Sequence, residues 1–298
     1  MLGDHPPHIP RFLGARQDFS FIEASIDAYG LQIEIWRVVV DNYRTSKLLN
    51  HTVISERVFY PRSTAVKPSL MVEAEGNQLA CHVLNSHPGA GWVVYFHGNG
   101  ELAVECAQYF GDLFNDLGIN ICFAEYRGYG ASSGEPALAA MLGDGVQVVA
   151  ALGVPAERVV AFGRSLGSLY AIELAHRLPS LGGLVIESGI AVLNDIWPLG
   201  LMAERIGYNS ITVTTELAEY FDHQTKLGDY SGPLLVLHAA KDHIVAQSHA
   251  ERIHAWGGGH AKRLVVFPRG DHSTIFPVNY VEYLAELRTF LQNIGLAS

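Results

Sequence analysis

The sequence has few cysteines, few basic residues and no long apolar run, and each shortage excludes a class of protein. Its three cysteines (Cys81, Cys106 and Cys122) show no Cys-x-x-Cys spacing, which indicates free buried thiols in a reducing, cytoplasmic compartment. Lysine and arginine total 20 against 30 aspartates and glutamates, and the net charge of −10 argues against nucleic acid as a partner. No apolar run reaches the roughly 18 residues of a spanning helix, so we expect no stable membrane insertion.

The composition is that of a globular protein. Hydrophobic residues make up 49% of the 298 positions and charged residues 17%, which excludes a disordered chain and allows a large core. The start of the chain lacks a basic segment followed by an apolar one, so we expect no secretory signal peptide. The sequence does not indicate an oligomeric state.

From about residue 53, short apolar strands alternate with helical segments. The predicted strands are Val53–Tyr60, Leu79–Leu84, Trp92–Phe96, Ile119–Ala124, Val159–Phe162, Leu184–Ile186, Leu234–His238 and Leu264–Phe267. The predicted helices include Glu101–Leu117, Ala137–Leu152, Leu166–Leu178, Gln247–Trp256 and Val278–Ile294. This alternation predicts an α/β fold with a mostly parallel sheet of the eight-stranded type, covered by helices on both faces.

Two segments depart from that rhythm. Residues 1–50 form a predicted N-terminal extension ahead of the main domain at 51–298; within it, 19–50 has mostly helical spacing, although 31–35 alternates like a strand. Residues 189–229 separate two strands by an unusually long connection that contains Trp197. We interpret 189–229 as a small lid over an apolar substrate pocket, with an elaborated crossover as the alternative.

The most informative stretch is Gly163-Arg164-Ser165-Leu166-Gly167, which lies directly between a predicted strand and a predicted helix. This Gly-x-Ser-x-Gly pattern is typical of a nucleophile elbow, in which a sharp turn presents a serine hydroxyl at the end of a sheet. Side chains at the two glycines would collide with neighbouring backbone. Backbone N–H groups at the start of the helix favour a developing negative charge.

The same pattern occurs a second time, at Gly130-Ala131-Ser132-Ser133-Gly134. That copy is surrounded by turn residues and runs into Glu135-Pro136, so it is interpreted as a loop. The flanking strand and helix, and not the pattern itself, favour Ser165 as the nucleophile.

A serine hydroxyl needs a histidine to accept its proton and a carboxylate to orient that histidine. In the predicted fold, the expected chain order is serine, then acid, then histidine. Asp242 follows the strand that ends at His238, and His272 follows the last strand. The rival acids are Glu187, Asp195 and Asp271, and the rival histidine is His243. Such a site needs no metal and no cofactor.

Acyl transfer also needs donors for the oxyanion. The N–H of Leu166, directly after the nucleophile, is one candidate; the N–H of Asn99, in the loop after Trp92–Phe96, is the other. Gly98 and Gly100 are alternatives to Asn99 and, with Trp197, candidates for contact with substrate. His97 is interpreted as a structural residue that is hydrogen-bonded beneath this loop.

Residues from about 53 to 295 resemble the α/β-hydrolase superfamily. The resemblance rests on His97-Gly98-Asn99-Gly100, Glu125-Tyr126-Arg127-Gly128-Tyr129-Gly130, the Ser165 elbow, Asp242 and Gly270-Asp271-His272. The Tyr-Arg-Gly-Tyr-Gly loop and the Gly-Arg-Ser-Leu-Gly elbow look like the branch that contains bacterial serine esterases and protein depalmitoylases. The resemblance implies an α/β-hydrolase fold with Ser165, Asp242 and His272 as the triad. The cysteine-rich N-terminus of the depalmitoylases is missing, which counts against a membrane-protein substrate.

The sequence therefore predicts a serine hydrolase that cleaves a small carboxylic ester or thioester through an acyl-enzyme. A peptidase or amidase, or an acyltransferase that excludes water, would use the same three residues. A non-catalytic ligand-binding protein on this fold is a further alternative. A dehalogenase or epoxide hydrolase is disfavoured, because those chemistries use aspartate at the elbow.

Overall fold

The computed structural model describes residues 46–297. The predicted N-terminal extension lies outside these residues except for its end at 46–50, which forms a turn. Within the described residues, one sheet contains β1 (Leu70–Ala74), β2 (Asn77–Leu84), β3 (Trp92–Phe96), β4 (Asn120–Ala124), β5 (Val159–Arg164), β6 (Gly183–Glu187), β7 (Leu234–Ala239) and β8 (Lys262–Phe267). Their order is β1-β2-β4-β3-β5-β6-β7-β8.

The sheet is mostly parallel, as the sequence predicts. The pairs β1–β2 and β2–β4 are antiparallel, and the remaining neighbours run parallel. Strands β3, β4, β6 and β7 are buried along their whole length, and β5 is buried up to its last residue, Arg164. This burial explains why these strands appear in the sequence as mostly apolar runs.

Helices cover both faces of the sheet. Outside the connection 189–229, the longer helices are α2 (Ala103–Asp116), α3 (Asp144–Leu152), α4 (Gly167–Arg177), α8 (Gln247–Trp256) and α10 (Tyr280–Asn293). On one face, Tyr95 packs in a core with Phe114 of α2 and Leu287 of α10. On the other face, the next residue along the strand, Phe96, lies against α3 and α4, beside Gly145. Within 46–297, no helix has both the length and the apolar character needed to cross a bilayer.

The predicted strand Val53–Tyr60 is wrong. The segment forms helix α1 (Thr52–Val58), in which Ile54 and Val58 are buried one helical turn apart. The side chain of His51 accepts a hydrogen bond from the N–H of Val53 and so caps the helix. The period-four spacing of the buried residues was therefore the better signal.

Two further elements differ from the prediction. Strand β1 was missed, because its alternating half-exposed pattern on the edge of the sheet gives a weak apolar signal. The predicted helix Ala137–Leu152 begins only at Asp144. Ahead of it the N–H groups of Ala139 and Ala140 both donate to the side chain of Asn50, which holds that stretch in a turn.

The long connection 189–229 is helical. It contains α5 (Leu199–Glu204), α6 (Ser210–Tyr220) and α7 (His223–Asp229). Helix α5 packs against α6 and α1, and α7 packs against α4 and α8. A buried ion pair between Lys226 and Glu173 fastens α7 to α4. The segment is therefore a folded helical insertion; its function as a lid remains a prediction.

Candidate active site

The carboxyl ends of neighbouring parallel strands meet at one edge of the sheet, and the predicted functional residues follow those ends. Ser165 follows β5, Asp242 lies just beyond β7, and His272 lies in the loop after β8. The loop that contains Asn99 follows β3. This is the edge at which open parallel sheets bind their ligands.

Ser165 occupies a sharp turn between β5 and α4. Its φ of 51° lies in the left-handed region, which costs a non-glycine residue about 1–3 kcal/mol. Close packing holds the turn in place: a Cβ on Gly163 would lie 2.7 Å from the Cα of Ser168, and one on Gly167 would collide with the carbonyl oxygen of Phe96. Strand, turn and helix thus lie where the sequence predicts them.

The structure brings Ser165, His272 and Asp242 together in one hydrogen-bonded chain. His272 Nε2 lies 2.9 Å from Ser165 Oγ, and His272 Nδ1 lies 2.7 Å from Asp242 Oδ2. Each of the three residues is only 8% exposed. A histidine held in this way can accept the hydroxyl proton of a serine while its other nitrogen remains bound to a carboxylate.

The surroundings of Asp242 keep its carboxylate ionised. Burial alone would raise the pKa of Asp242, but the hydrogen bonds from His272 and from the N–H of Val245 outweigh it and lower the pKa below its ordinary value. Asp242 Oδ1 accepts the N–H groups of Ile244 and Val245 at 2.9 and 2.8 Å. These bonds also orient the carboxylate toward the imidazole of His272.

The rival acids and the rival histidine have other surroundings. Glu187 pairs with Arg164, and Asp195 pairs with Arg252 at the surface. Asp271 accepts the N–H groups of Ser273 and Thr274 ahead of α9 (Ile275–Val278). His243 is exposed.

The loop after β3 is fastened through Asn99. Its Nδ2 donates to the carbonyl of Val58 at 2.5 Å, and its Oδ1 accepts the N–H of Tyr60 at 3.0 Å and the hydroxyl of Tyr129 at 2.9 Å. Within the described part of the chain, the backbone N–H groups of Asn99 and Leu166 donate to no protein acceptor. The N–H of Gly98, by contrast, donates to Glu101 at 2.8 Å.

His97 is fully buried beneath this loop, in the structural position that the sequence predicts. Its ring bonds to Glu125 at 2.6 Å and to the carbonyl of Gly98 at 2.8 Å. Burial alone would lower the pKa of His97, but the charge of Glu125 and these hydrogen bonds raise it above its ordinary value.

Sequence reasoning missed Arg164 and Glu101. The Arg164 side chain is almost buried and binds Glu187, Glu101 and the backbone carbonyl of His272. The signal available in the sequence was a charged residue at the end of an apolar strand. In the structure, Arg164 of β5 pairs in register with Glu187 of β6. Charged groups at the buried ends of strands need partners, so such a pair marks a network.

The second Gly-x-Ser-x-Gly copy is a loop, as the sequence predicts. Ser132 Oγ accepts the N–H of Ala80 at 2.9 Å, and Ser133 Oγ accepts the N–H of Gln78 at 2.8 Å. The loop therefore supplies hydrogen-bond acceptors to backbone N–H groups of β2 that are not bonded to a neighbouring strand. Both serines have a structural explanation.

Trp197 is half-buried just ahead of α5. Among the described residues, no hydrogen bond or aromatic ring contact joins it to Ser165, Asp242 or His272, so its contact with substrate stays a prediction. No group of three or more His, Cys, Asp or Glu side chains suited to a metal ion occurs between 46 and 297.

Known proteins resemble this chain in sequence and in fold. A family model described as serine aminopeptidase, S33, matches residues 87–211. Alpha/beta hydrolase domain-containing protein 17B of Homo sapiens is 26% identical over 205 residues, which cover 66% of this chain and 67% of that protein. Alpha/beta hydrolase domain-containing protein aho-3 of Caenorhabditis elegans is 27% identical over 220 residues, 72% of this chain and 62% of that protein.

Among solved structures, the Pyrococcus furiosus esterase Pf2001 superimposes with a TM-score of 0.62 at 15% identity, covering 79% of this chain and 96% of that one. A monoacylglycerol lipase from Paleococcus ferrophilus superimposes with a TM-score of 0.57 at 18% identity, covering 73% of this chain and 99% of that one. Both likenesses concern the fold: one mostly parallel eight-stranded sheet with helices around it. The chain therefore has the α/β-hydrolase fold, and its sequence is similar to that of α/β-hydrolase proteins.

Proposed function

We propose that this chain is a serine hydrolase that cleaves a carboxylic ester or thioester through an acyl-enzyme. The observation that carries the proposal is the hydrogen-bonded chain from Asp242 through His272 to Ser165, with Ser165 in a left-handed turn at a helix start. The family match and the curated relatives support hydrolase activity in general. The esterase and lipase neighbours favour small ester substrates.

In the proposed reaction, Ser165 Oγ attacks the acyl carbon while His272 Nε2 accepts the hydroxyl proton. Asp242 keeps the other imidazole proton on Nδ1 and stabilises the imidazolium that forms. When the tetrahedral intermediate collapses, the bond to the leaving oxygen or sulfur breaks and His272 returns the proton to that atom. Water then attacks the acyl-enzyme, with His272 again as base, and the free acid and Ser165 are regenerated.

The N–H groups of Leu166 and Asn99 are the proposed oxyanion donors. Leu166 lies directly after the nucleophile, at the start of α4, where the helix dipole favours negative charge. Asn99 is held by its side chain, and its N–H is not used by another protein group in the described residues. The N–H of Gly98 is already bound to Glu101, so Asn99 is favoured over Gly98.

Cleavage of peptides or amides is a second candidate, favoured by the match to the serine aminopeptidase model. The same three residues would act, but the leaving group would be an amine that needs its proton from His272. Product analysis with an ester and an amide of the same acyl group separates the two candidates. A preference for the amide would make the chain a peptidase or amidase.

The proposed location is the cytoplasm. Cys81, Cys106 and Cys122 are all free and buried. Free thiols suit a reducing compartment, and no bond in the proposed reaction requires an oxidised cysteine.

Labelling with a fluorophosphonate probe tests the proposal. Wild-type protein should label and S165A should not, whereas S132A, the matched variant in the second Gly-x-Ser-x-Gly copy, should label like wild type. Turnover of p-nitrophenyl butyrate should follow the same order. Equal labelling of wild type and S165A would refute the assignment of the nucleophile.

A further inference from the structure

Arg164 lies between Gly163 and the proposed nucleophile and binds three separate parts of the site. Its Nε donates to Glu187 Oε1 at 3.0 Å, and its Nη1 donates to Glu101. Its Nη2 donates to the backbone carbonyl of His272 at 3.0 Å. One guanidinium therefore connects the end of β6, the loop just ahead of α2 and the loop that contains the proposed base.

The connection continues to the proposed oxyanion loop. Glu101 uses one carboxylate oxygen for Arg164 and the other for the N–H of Gly98, at 2.8 Å. The contact is tight: a Cβ on Gly98 would lie 2.6 Å from Arg164 Nη1. Glycine at 98 therefore makes room for the guanidinium, next to the residue whose N–H is proposed to bind the oxyanion.

We propose that Arg164 is a positioning residue that sets the distances among Ser165, the imidazole of His272 and the N–H of Asn99. The inference rests on the proposed function. A planar guanidinium has donors in a fixed fork and can hold three acceptors at once, whereas the ammonium of a lysine cannot reproduce that geometry. Displacements of about 1 Å in such a site can cost about 100-fold in rate.

The electrostatic environment supports a permanently charged Arg164. Burial alone would lower the pKa of Arg164, but the carboxylates of Glu187 and Glu101 outweigh it and raise the pKa above its ordinary value. The second oxygen of Glu187 accepts the hydroxyl of Tyr283, so this carboxylate is held from two sides.

A cavity gives access to the guanidinium from the side of α2 and α9. Its volume is about 470 Å³, and it is lined by Arg164, Glu101, Glu187, Ser273, Phe110 and Phe276 among others. It is larger than a guanidinium ion. An ion from solvent can therefore enter the space that a truncated Arg164 leaves, which makes chemical rescue possible.

The test compares R164A and R164K with wild type by p-nitrophenyl butyrate turnover. Both variants should lose about 100-fold in kcat with a much smaller change in KM. Guanidinium chloride at a concentration below denaturation should restore part of the R164A rate, and ammonium chloride should not. R263A, which removes an exposed arginine paired with Glu286, should keep wild-type kcat and respond to neither salt.

A second pair of variants covers the case in which R164A does not fold. E101Q should lower kcat, because the charge that holds Arg164 is lost, while E105Q should leave it unchanged, because Glu105 pairs with exposed Arg62. Wild-type kcat in R164K and E101Q would overturn the inference. Where R164A folds, a loss of kcat that guanidinium does not restore would also overturn it. If S165A keeps wild-type turnover, the proposed function itself fails.

Discussion

The backbone carbonyl of Phe96 lies so close to Gly167 that no side chain fits between them. Phe96 ends β3, directly ahead of the loop with Asn99, and Gly167 begins α4, directly after the elbow. This contact therefore fixes how closely the proposed nucleophile approaches the proposed oxyanion loop. A change at Gly167 acts on both at once.

We expect G167A to destabilise the fold and abolish turnover. The added methyl would meet backbone that cannot move aside like a flexible side chain, so the cost should be about 3 kcal/mol or more. Urea unfolding measures the stability and p-nitrophenyl butyrate the activity. G200A is the matched control, because Gly200 in α5 has open space around its Cα; it should be neutral or up to about 1 kcal/mol more stable. Equal stability of G167A and wild type would contradict the contact.

D242N should lower kcat by about 10³–10⁴-fold with little change in KM. An amide cannot stabilise the imidazolium of His272, and its NH₂ group favours the wrong histidine tautomer. Steady-state kinetics on p-nitrophenyl butyrate measure the effect. D271N changes the residue adjacent to His272 but affects only an exposed turn, so it should keep near-wild-type kcat. Similar losses in both variants would show that Asp242 has no special role.

Much of the fold and site was predictable from sequence, because local pattern and buried environment agree there. The strand Trp92–Phe96 is apolar throughout and buried throughout, so its bounds were predicted correctly. Ser165, Asp242 and His272 could be located because each follows a parallel strand, and the carboxyl ends of such strands meet at one edge of the sheet.

The remaining features depend on contacts between distant residues. Helix α1 was predicted as a strand because its apolar residues are few, and its capping by His51 is visible only in the structure. The hydrogen bonds from the N–H groups of Ala139 and Ala140 to the side chain of Asn50 likewise join residues far apart in the sequence. Arg164 resembles an ordinary variable position of Gly-x-Ser-x-Gly, and only the fold brings Glu101 and His272 to its side chain.

The acyl-chain preference should fall on short to medium chains. The predicted lid is small, because the helices of 189–229 are short and the last of them, α7, packs against α4 and α8. A series of p-nitrophenyl esters from acetyl to palmitoyl, with S165A as the background, measures kcat/KM for each. The matching thioesters show whether oxygen or sulfur is preferred. A maximum at palmitoyl would contradict the expectation.

His223 should make stability depend on pH. Burial, and then the charge of Lys226, lowers the pKa of His223 from 6.5 to about 3. Its Nδ1 bonds to the carbonyl of Ile190 at 3.0 Å, while Nε2 is buried and has no partner in the described residues, so protonation there would create an unpaired buried charge.

The pKa of His223 is lower in the folded protein than in the unfolded chain. The stability that the neutral histidine contributes is therefore fully present above about pH 6.5 and is lost as the pH falls toward 3. H223Q keeps a donor for Ile190 but cannot titrate. Between about pH 6 and pH 4, wild type should therefore lose about 2 kcal/mol more unfolding free energy than H223Q, measured by urea titration. H260Q, at an exposed histidine, should follow wild type. Parallel losses in wild type and H223Q would show that His223 takes up its proton as readily in the folded state as in the unfolded one.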